Sequence, residues 1–208
     1  SFAADAMSGK LHGADRSFDG ISTDSRSIRE GELFFALSGP NFDGGKFVSH
    51  ATSKGAAGAV VETPIGDDTS QIEVDDTRLA LGRLAAAWRD QHALTVIGIT
   101  GSNGKTTVKE LVAACLSHMD TTLATEGNLN NDIGMPLMMS RIDASHRYAV
   151  LEMGANHAGE IAYLVSLAEP DVVCLTNAAA AHLEGFGSIE GVAHAKAEIL
   201  QGEPRPQA

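Results

Sequence analysis

Residues 94–119 read LTVIGITGSNGKTTVKELVAACLSHM, and their order decides the fold. Leu94 to Thr100 is a mostly apolar, β-branched run of the length and kind that forms a buried strand. It leads directly into Gly101-Ser-Asn-Gly-Lys-Thr-Thr107, and that leads into a run that places Val108, Leu111, Val112, Cys115, Leu116 and Met119 on one helical face. Strand, glycine loop and helix in this order make a phosphate cradle. Gly101, Ser102, Asn103 and Gly104 let the backbone wrap an anion, and the helix start adds free N–H groups. Lys105 neutralises phosphate charge, and Thr106, followed by Thr107, offers a hydroxyl to Mg2+. The full GxxxxGK[ST] pattern wants a glycine where Ile99 stands, so the loop is a shorter GxxGKT form.

Downstream the same alternation continues. Tyr148 to Met153 and Val172 to Asn177 read as further buried strands, with helices expected from Gly159 to Ala168 and from Ser188 to Leu200. Strands separated by helices predict a parallel sheet with crossovers. Upstream the pattern is different: Glu32–Leu37, Ala59–Glu62 and Gln71–Val74 are short strands among glycine-rich and acidic breaks, closed by a helix over Thr77–Gln91 with Leu81, Leu84 and Trp88 on one face. The expected organisation is therefore α/β in two parts. Residues 1–92 form a small mixed α/β domain, and residues 93–208 form a phosphate-loop domain with a parallel sheet.

With 43% hydrophobic and 20% charged residues among 208, the chain has the composition of a globular core-former. Its formal net charge of −12 argues against a nucleic-acid partner, whose phosphates need clustered Lys and Arg. Cys115 and Cys174, both in apolar surroundings, read as buried thiols rather than as a disulfide or zinc site. No signal peptide or membrane-spanning run is evident, which makes a cytoplasmic location the expectation.

In an open parallel sheet, ligands sit at the carboxyl ends of the strands. Glu152 stands at one such end, as a solvated acid or as an oxygen ligand for Mg2+. His182 follows the next, as a structural side chain or as a metal or phosphate ligand. On the last helix Ile189, Val192, Ala193, Ile199 and Leu200 form the apolar face, with Lys196 at its middle and Glu190, His194 and Glu198 turned away. A lysine there either snorkels to water or serves a nearby site. The loop Thr125-Glu-Gly-Asn-Leu-Asn-Asn-Asp-Ile-Gly134 suits plain turn chemistry or hydrogen bonding to a sugar or peptide.

Taken together, GSNGKTT, EGNLNNDIG, LEMGANHAGEI, TNAAAAHLEGFGS and VAHAKAEIL resemble the signatures of the Mur ligases. STDSR (Ser22 to Arg26), ELFFALSGPNFDGGKF and VDDTRLALGRLA extend the resemblance over nearly the whole chain. It implies an N-terminal domain for a uridine nucleotide, a central ATPase domain, and a C-terminal domain outside this chain. Carried over by residue, it implies ATP at Gly101 to Thr107, a first Mg2+ on Thr106, and a second Mg2+ held by Glu152 and His182, with Lys196 facing that metal site. Lys105, His182 and Lys196 become the catalytic set, with Lys196 as the lysine that the family carboxylates. Ser25 and Arg26 would meet the uridine end; Asn128, Asn130, Asn131, Asn156 and His157 would meet the muramoyl-peptide. GNLNN and HLEGFG favour the member that joins D-alanyl-D-alanine to UDP-N-acetylmuramoyl-tripeptide through an acyl phosphate; the member adding the third peptide residue, which shares STDSR, is the alternative.

Departures temper the carry-over. The family's FDGH reads Phe42-Asp43-Gly44-Gly45 here, which removes a histidine from that loop, and AKGEI reads AKAEI at Ala197. The chain also stops at GEPRPQA, just past the Lys196 helix. A truncated, catalytically incomplete ligase is therefore the expectation, with a fragment that binds uridine nucleotide or ATP without chemistry as its rival.

Overall fold

The computed structural model describes residues 1–39, 42–66, 69–180 and 183–202. It separates into two compact units, Ser1–Ala87 and Trp88–Ala208, with the division inside the helix Thr77–Arg89, a few residues before the expected boundary.

In the first unit, α1 (Phe2–Met7), β1 (Lys10–His12), β2 (Gly20–Ser22) and β3 (Glu32–Phe35) precede a small β4 (Ser38–Gly39) and β5 (Phe42–Asp43) hairpin. Then come α2 (Val48–Ser53), β6 (Gly58–Val61), β7 (Gln71–Glu73) and α3 (Thr77–Arg89). The sheet runs β1-β7-β6-β3-β2, with β2, β3, β6 and β7 parallel and β1 antiparallel at one edge. Strand periodicity explains the core on one side: Phe34 and Ala36, with Ala59 and Val61, point the same way and pack with Ile28, Val48 and Ala51. The three expected strands are present. α1, β1, β2 and α2 were not anticipated.

The second unit holds β8 (Thr95–Thr100), α4 (Lys105–Ser117), β9 (Thr122–Ala124), α5 (Gly134–Met139) and β10 (Tyr148–Glu152). After these follow α6 (Glu160–Ala168), β11 (Val172–Leu175), α7 (Leu183–Phe186) and α8 (Ile189–Ala197), which ends in a 3₁₀ turn over Glu198–Gln201. Its sheet is wholly parallel, in the order β11-β8-β10-β9. From β8 the chain crosses toward β9 on one side; from β10 it crosses toward β11 on the other. The carboxyl ends of neighbours β8 and β10 therefore form a switch point, where such sheets open a crevice. Glu152 pairs in register with Ile99, which puts it beside the start of the glycine loop.

Two helical faces differ from expectation. On α4 the side turned to Ile97, Ile99 and Val150 carries Val108, Val112, Ala113 and Leu116, together with a buried Lys109. Leu111 and Met119 are 62% and 70% exposed, and Cys115 is exposed with them, so the expected stripe is rotated and this thiol is not buried. Cys174 is half-buried. On α8, Lys196 is buried with Val192 and Ile199 as expected, but Ile189 is exposed. Glu198, expected to face away, accepts from the backbone N–H groups of Gly159 (2.8 Å) and Ala162 (3.0 Å) and so caps α6.

Among the described residues no helix is long and apolar enough to cross a membrane.

Candidate functional site

The glycine loop leaves β8 through Gly101 at φ +149°, where a Cβ would lie 2.0 Å from Thr176 Oγ1. Only glycine fits so close an approach. Gly104, at φ +78°, turns the chain into α4. The loop is tied to the segment after β11: Ser102 N donates to Asn177 O (2.9 Å), Asn103 N to Asn177 Oδ1 (3.2 Å), and Thr176 Oγ1 to Asn103 O (2.7 Å). Lys105 Nζ donates back to the loop's own Gly101 carbonyl at 2.8 Å. Thr106 and Thr107 are exposed at the helix start, Thr106 with its hydroxyl directed across the crevice.

That hydroxyl donates to Glu152 Oε2 at 2.9 Å, and Asn130 Nδ2 donates to Glu152 Oε1 at 2.8 Å. The carboxylate is thus buried, 2% exposed, between donors that carry no charge. A buried anion held only by neutral groups is stabilised by a cation, and a carboxylate beside a hydroxyl is the hard-oxygen set Mg2+ takes. The residues present fit that ion. Among the described residues no cluster of three or more His, Cys, Asp or Glu side chains forms; His182, expected as a ligand, lies outside the described residues.

Lys196 is as buried as Glu152, with Nζ 3.5 Å from Ala155 O and 5.6 Å from the centre of the Phe186 ring. Burial, and then the charge of Lys105, pull its pKa down to about 8, against an upward push from Glu160 and Glu198. The amine therefore keeps a neutral fraction at ordinary pH.

The expected substrate residues of this unit divide. Asn130 is turned to Glu152 through its side-chain amide. Asn131 Oδ1 accepts from Ile133 N (3.3 Å) and Gly134 N (2.8 Å), which starts α5 as turn chemistry does. Asn128 is exposed. Asn156 and His157 are exposed above β10, their backbone N–H groups held by Glu160 Oε2 at 2.6 and 3.2 Å and the His157 ring by Glu160 Oε1 at 3.1 Å. The Glu160 carboxyl is accordingly held below its ordinary pKa, these bonds outweighing partial burial.

In the first unit, Ser25 is buried, with its hydroxyl 3.2 Å from His50 Nδ1, while Arg26 is exposed and pairs with Asp24 at 2.7 Å. A cleft of about 540 Å3 opens at the carboxyl ends of β3 and β6, lined among others by Ser38, Asp43, Lys46, Glu62 and Thr63. Neither Ser25 nor Arg26 lines it. Lys46 in this cleft and Lys109 behind the glycine loop were not singled out from the sequence; centring the α4 stripe on Ala113 instead of Val112 brings Lys109 inward.

Residues 99–207 match the model described as Mur ligase middle domain, and residues 17–89 match that of the Mur ligase family, catalytic domain. The chain belongs to the Mur ligase family. This Mur ligase chain is 50% identical over 200 residues to the UDP-N-acetylmuramoyl-tripeptide--D-alanyl-D-alanine ligase of Escherichia coli K12, covering 96% of itself and 44% of that protein. The ligase of the same name from Bacillus subtilis is 41% identical, over 88% of this chain and 41% of its own. Among solved structures, MurF from Acinetobacter baumannii superposes with a TM-score of 0.93 at 43% identity, covering 97% of this chain and 45% of that one. MurF ligase from Thermotoga maritima in complex with ADP gives 0.80 at 36% identity, over 87% and 42%. The Mur ligase chain thus spans under half the length of the relatives it matches.

Proposed function

We propose that this chain is the uridine-nucleotide-binding and ATP-binding part of a ligase that joins D-alanyl-D-alanine to UDP-N-acetylmuramoyl-tripeptide in a cytoplasmic step of peptidoglycan precursor synthesis. The observation that carries the reading is the glycine loop with Thr106 on Glu152 at the β8/β10 switch point. Gly101 to Thr107 grip the phosphates of ATP, with Lys105 exchanging its bond to Gly101 O for phosphate oxygens. Thr106 and Glu152 hold Mg2+, joined on the family resemblance by His182 and by Lys196 as its carbamate. When bound, Mg2+ supplies positive charge beside the transferring phosphoryl group.

The reaction class is transfer of the ATP γ-phosphoryl group to the tripeptide carboxylate, giving an acyl phosphate and ADP, followed by attack of the D-alanyl-D-alanine amine, which loses its proton as the amide forms and phosphate leaves. In this chain Lys105 steadies charge on the phosphoryl oxygens, and the β10–α6 loop with Asn156 and His157 is the surface for the muramoyl-peptide. In the first unit the cleft by Lys46 receives the uridine diphosphate end, with the Ser25–Arg26 turn beside the neighbouring strand end. Its volume suits a nucleotide-sized ligand.

Calorimetric titration with UDP-N-acetylmuramoyl-tripeptide, its dipeptide form and UDP-glucose tests this reading. Saturable binding that prefers the tripeptide is expected, together with Mg2+-dependent binding of ADP. A folded chain that binds no uridine ligand and no nucleotide overturns it.

A further inference from the structure

Lys109 is a second lysine buried to the same degree as Lys196, and no step proposed above uses it. It lies on α4 three residues after Thr106, on the same side of the helix. Its Nζ donates to Thr125 O at 2.8 Å, in the loop that follows β9, and meets Glu110 Oε1 at 2.5 Å. The Glu110 side chain is 68% exposed and adjacent in sequence, so this rim contact does not account for the lysine's inward course. The bond to Thr125 does.

Thr125 is itself buried and bonded at three atoms. Its N–H donates to Val150 O (3.0 Å), its carbonyl accepts from Lys109, and its hydroxyl oxygen accepts from Glu152 N (2.9 Å). Glu152 in turn accepts from the Thr106 hydroxyl. The path from Thr106 through Glu152 and Thr125 to Lys109 closes on α4 within one turn of where it began. A second strap runs beside it: the same loop delivers Asn130, whose side chain holds the other oxygen of Glu152 and whose carbonyl accepts from Gly154 N at 2.8 Å.

We propose that Lys109 is a positioning residue that fixes Glu152 against Thr106 by holding Thr125, and so sets the Mg2+ affinity of the phosphate loop. This role rests on the metal reading given under Proposed function. A long side chain with a charged donor suits it: it spans from the helix to a strand-end carbonyl, and a charge-assisted bond is stronger than a neutral one. Groups that orient metal ligands without touching the ion change metal affinity by about 10–100-fold when removed.

The test uses Lys109→Met, which keeps length and removes the donor, Lys109→Arg, which keeps a donor, and Thr125→Val, which cuts the ring from its other side. ADP binding is titrated by calorimetry over a range of Mg2+ concentrations, and amide hydrogen exchange at Glu152 is followed without metal. Expected for K109M is an about tenfold rise in the Mg2+ needed for half-maximal effect, with metal-free ADP affinity unchanged within about twofold. K109R restores most of the loss, T125V reproduces it, and the double variant K109M/T125V shows less than the sum of the two. Glu152 exchange accelerates in K109M. Equal losses of ADP affinity with and without Mg2+ would mean a merely structural lysine and overturn the proposal. So would unchanged Glu152 exchange in K109M, which strikes the brace itself. If the unsubstituted chain binds ADP without regard to Mg2+, the metal reading falls and takes this role with it, and the metal-free exchange tells that failure from loss of the brace.

Discussion

The glycine loop and the Ser22–Arg26 turn are both strand-end sites rich in hydroxyl and charged side chains, yet they are built in opposite ways. Around the loop, bonds join residues far apart in sequence: Thr106 to Glu152, Asn103 to Asn177, Ser102 to Ala179 and Lys109 to Thr125. In the turn most are local, the longer ties being Ser25 Oγ with His50 Nδ1 and the bond that Lys54 Nζ donates to Arg26 O. Asp24 accepts from Arg26 N and Arg26 Nε, both at 2.9 Å, and Ser27 donates to Asp24 O. Long-range bonds make the shape of the first site a property of the whole sheet, while a local turn forms wherever its few residues are present. The first should break by substitution; the second should bend.

The largest effect is expected from Gly101→Ala. Its Cβ would land on Thr176 Oγ1 at a backbone angle that L-residues avoid, so overpacking and strain together should destabilise the second unit by about 2–5 kcal/mol. Urea denaturation monitored at Trp88 reads this, and a midpoint unchanged from the parent would show that the loop yields as easily as the turn. Glu152→Gln comes next and separates site from scaffold. The amide keeps the shape and can still pair with Thr106 once that hydroxyl reverses, so the midpoint should move by less than about 1 kcal/mol. Mg2+-dependent ADP affinity should nevertheless fall at least about tenfold, because a charged ligand is lost.

Lys196→Met sharpens the comparison through pH. The folded-state pKa of about 8 lies below the ordinary 10.5, so between these values the unfolded chain binds more protons than the folded one, and stability rises with pH across that window. Below about pH 8 both states are charged and the buried ammonium is a constant penalty. The Met variant lacks this term. It should be the more stable protein at pH 7, with an advantage that shrinks from about pH 8 to about 10.5 in urea midpoints taken across the range; an advantage that does not vary with pH would show that the lysine keeps its proton.

How far each region could be read from sequence follows the same division. β8 and β10 announce themselves because strands covered on both faces are continuous apolar runs, and the edge strand β11 keeps such a run although Leu175 is exposed. Gly101 to Thr107 is legible because its chemistry is contiguous. β9 is only three residues, and α5 reads GMPLMM, with a glycine at its start and Pro136 in its first turn, a composition that suits a loop until Asn131 caps it and Met138 and Met139 are buried. The rotation of α4 escaped because a lysine was counted as polar surface, whereas the partner that draws it inward, Thr125 O, is sixteen residues away and unmarked by any pattern. Glu198 escaped for the same reason: its partners are the amides of Gly159 and Ala162 on another helix. Helical spacing tells which residues share a face, not which carbonyl or amide waits opposite.

The smallest expected effect belongs to the turn. Asp24 is held at a pKa of about 2, first by the side-chain bond from Arg26 and then by the Arg26 backbone N–H. A depressed carboxylate contributes stability that is present above its unfolded pKa near 3.8 and is lost as pH falls through about 2. The group is exposed, however, and water and salt screen most of such a pairing. Asp24→Asn should therefore leave the urea midpoint at pH 7 unresolved from the parent and should flatten only the loss of stability between pH 4 and 2. Its effect should surface instead in ligand binding. The carboxylate fixes the Arg26 side chain as well as its backbone N–H, so freeing the guanidinium adds an ordering penalty when a uridine ligand arrives, read as a roughly two- to tenfold weaker affinity. Titration of the variant with UDP-N-acetylmuramoyl-tripeptide reads that change. Affinity equal to the parent would remove Arg26 from the uridine site and leave the cleft beside Lys46 as the place where the nucleotide is held.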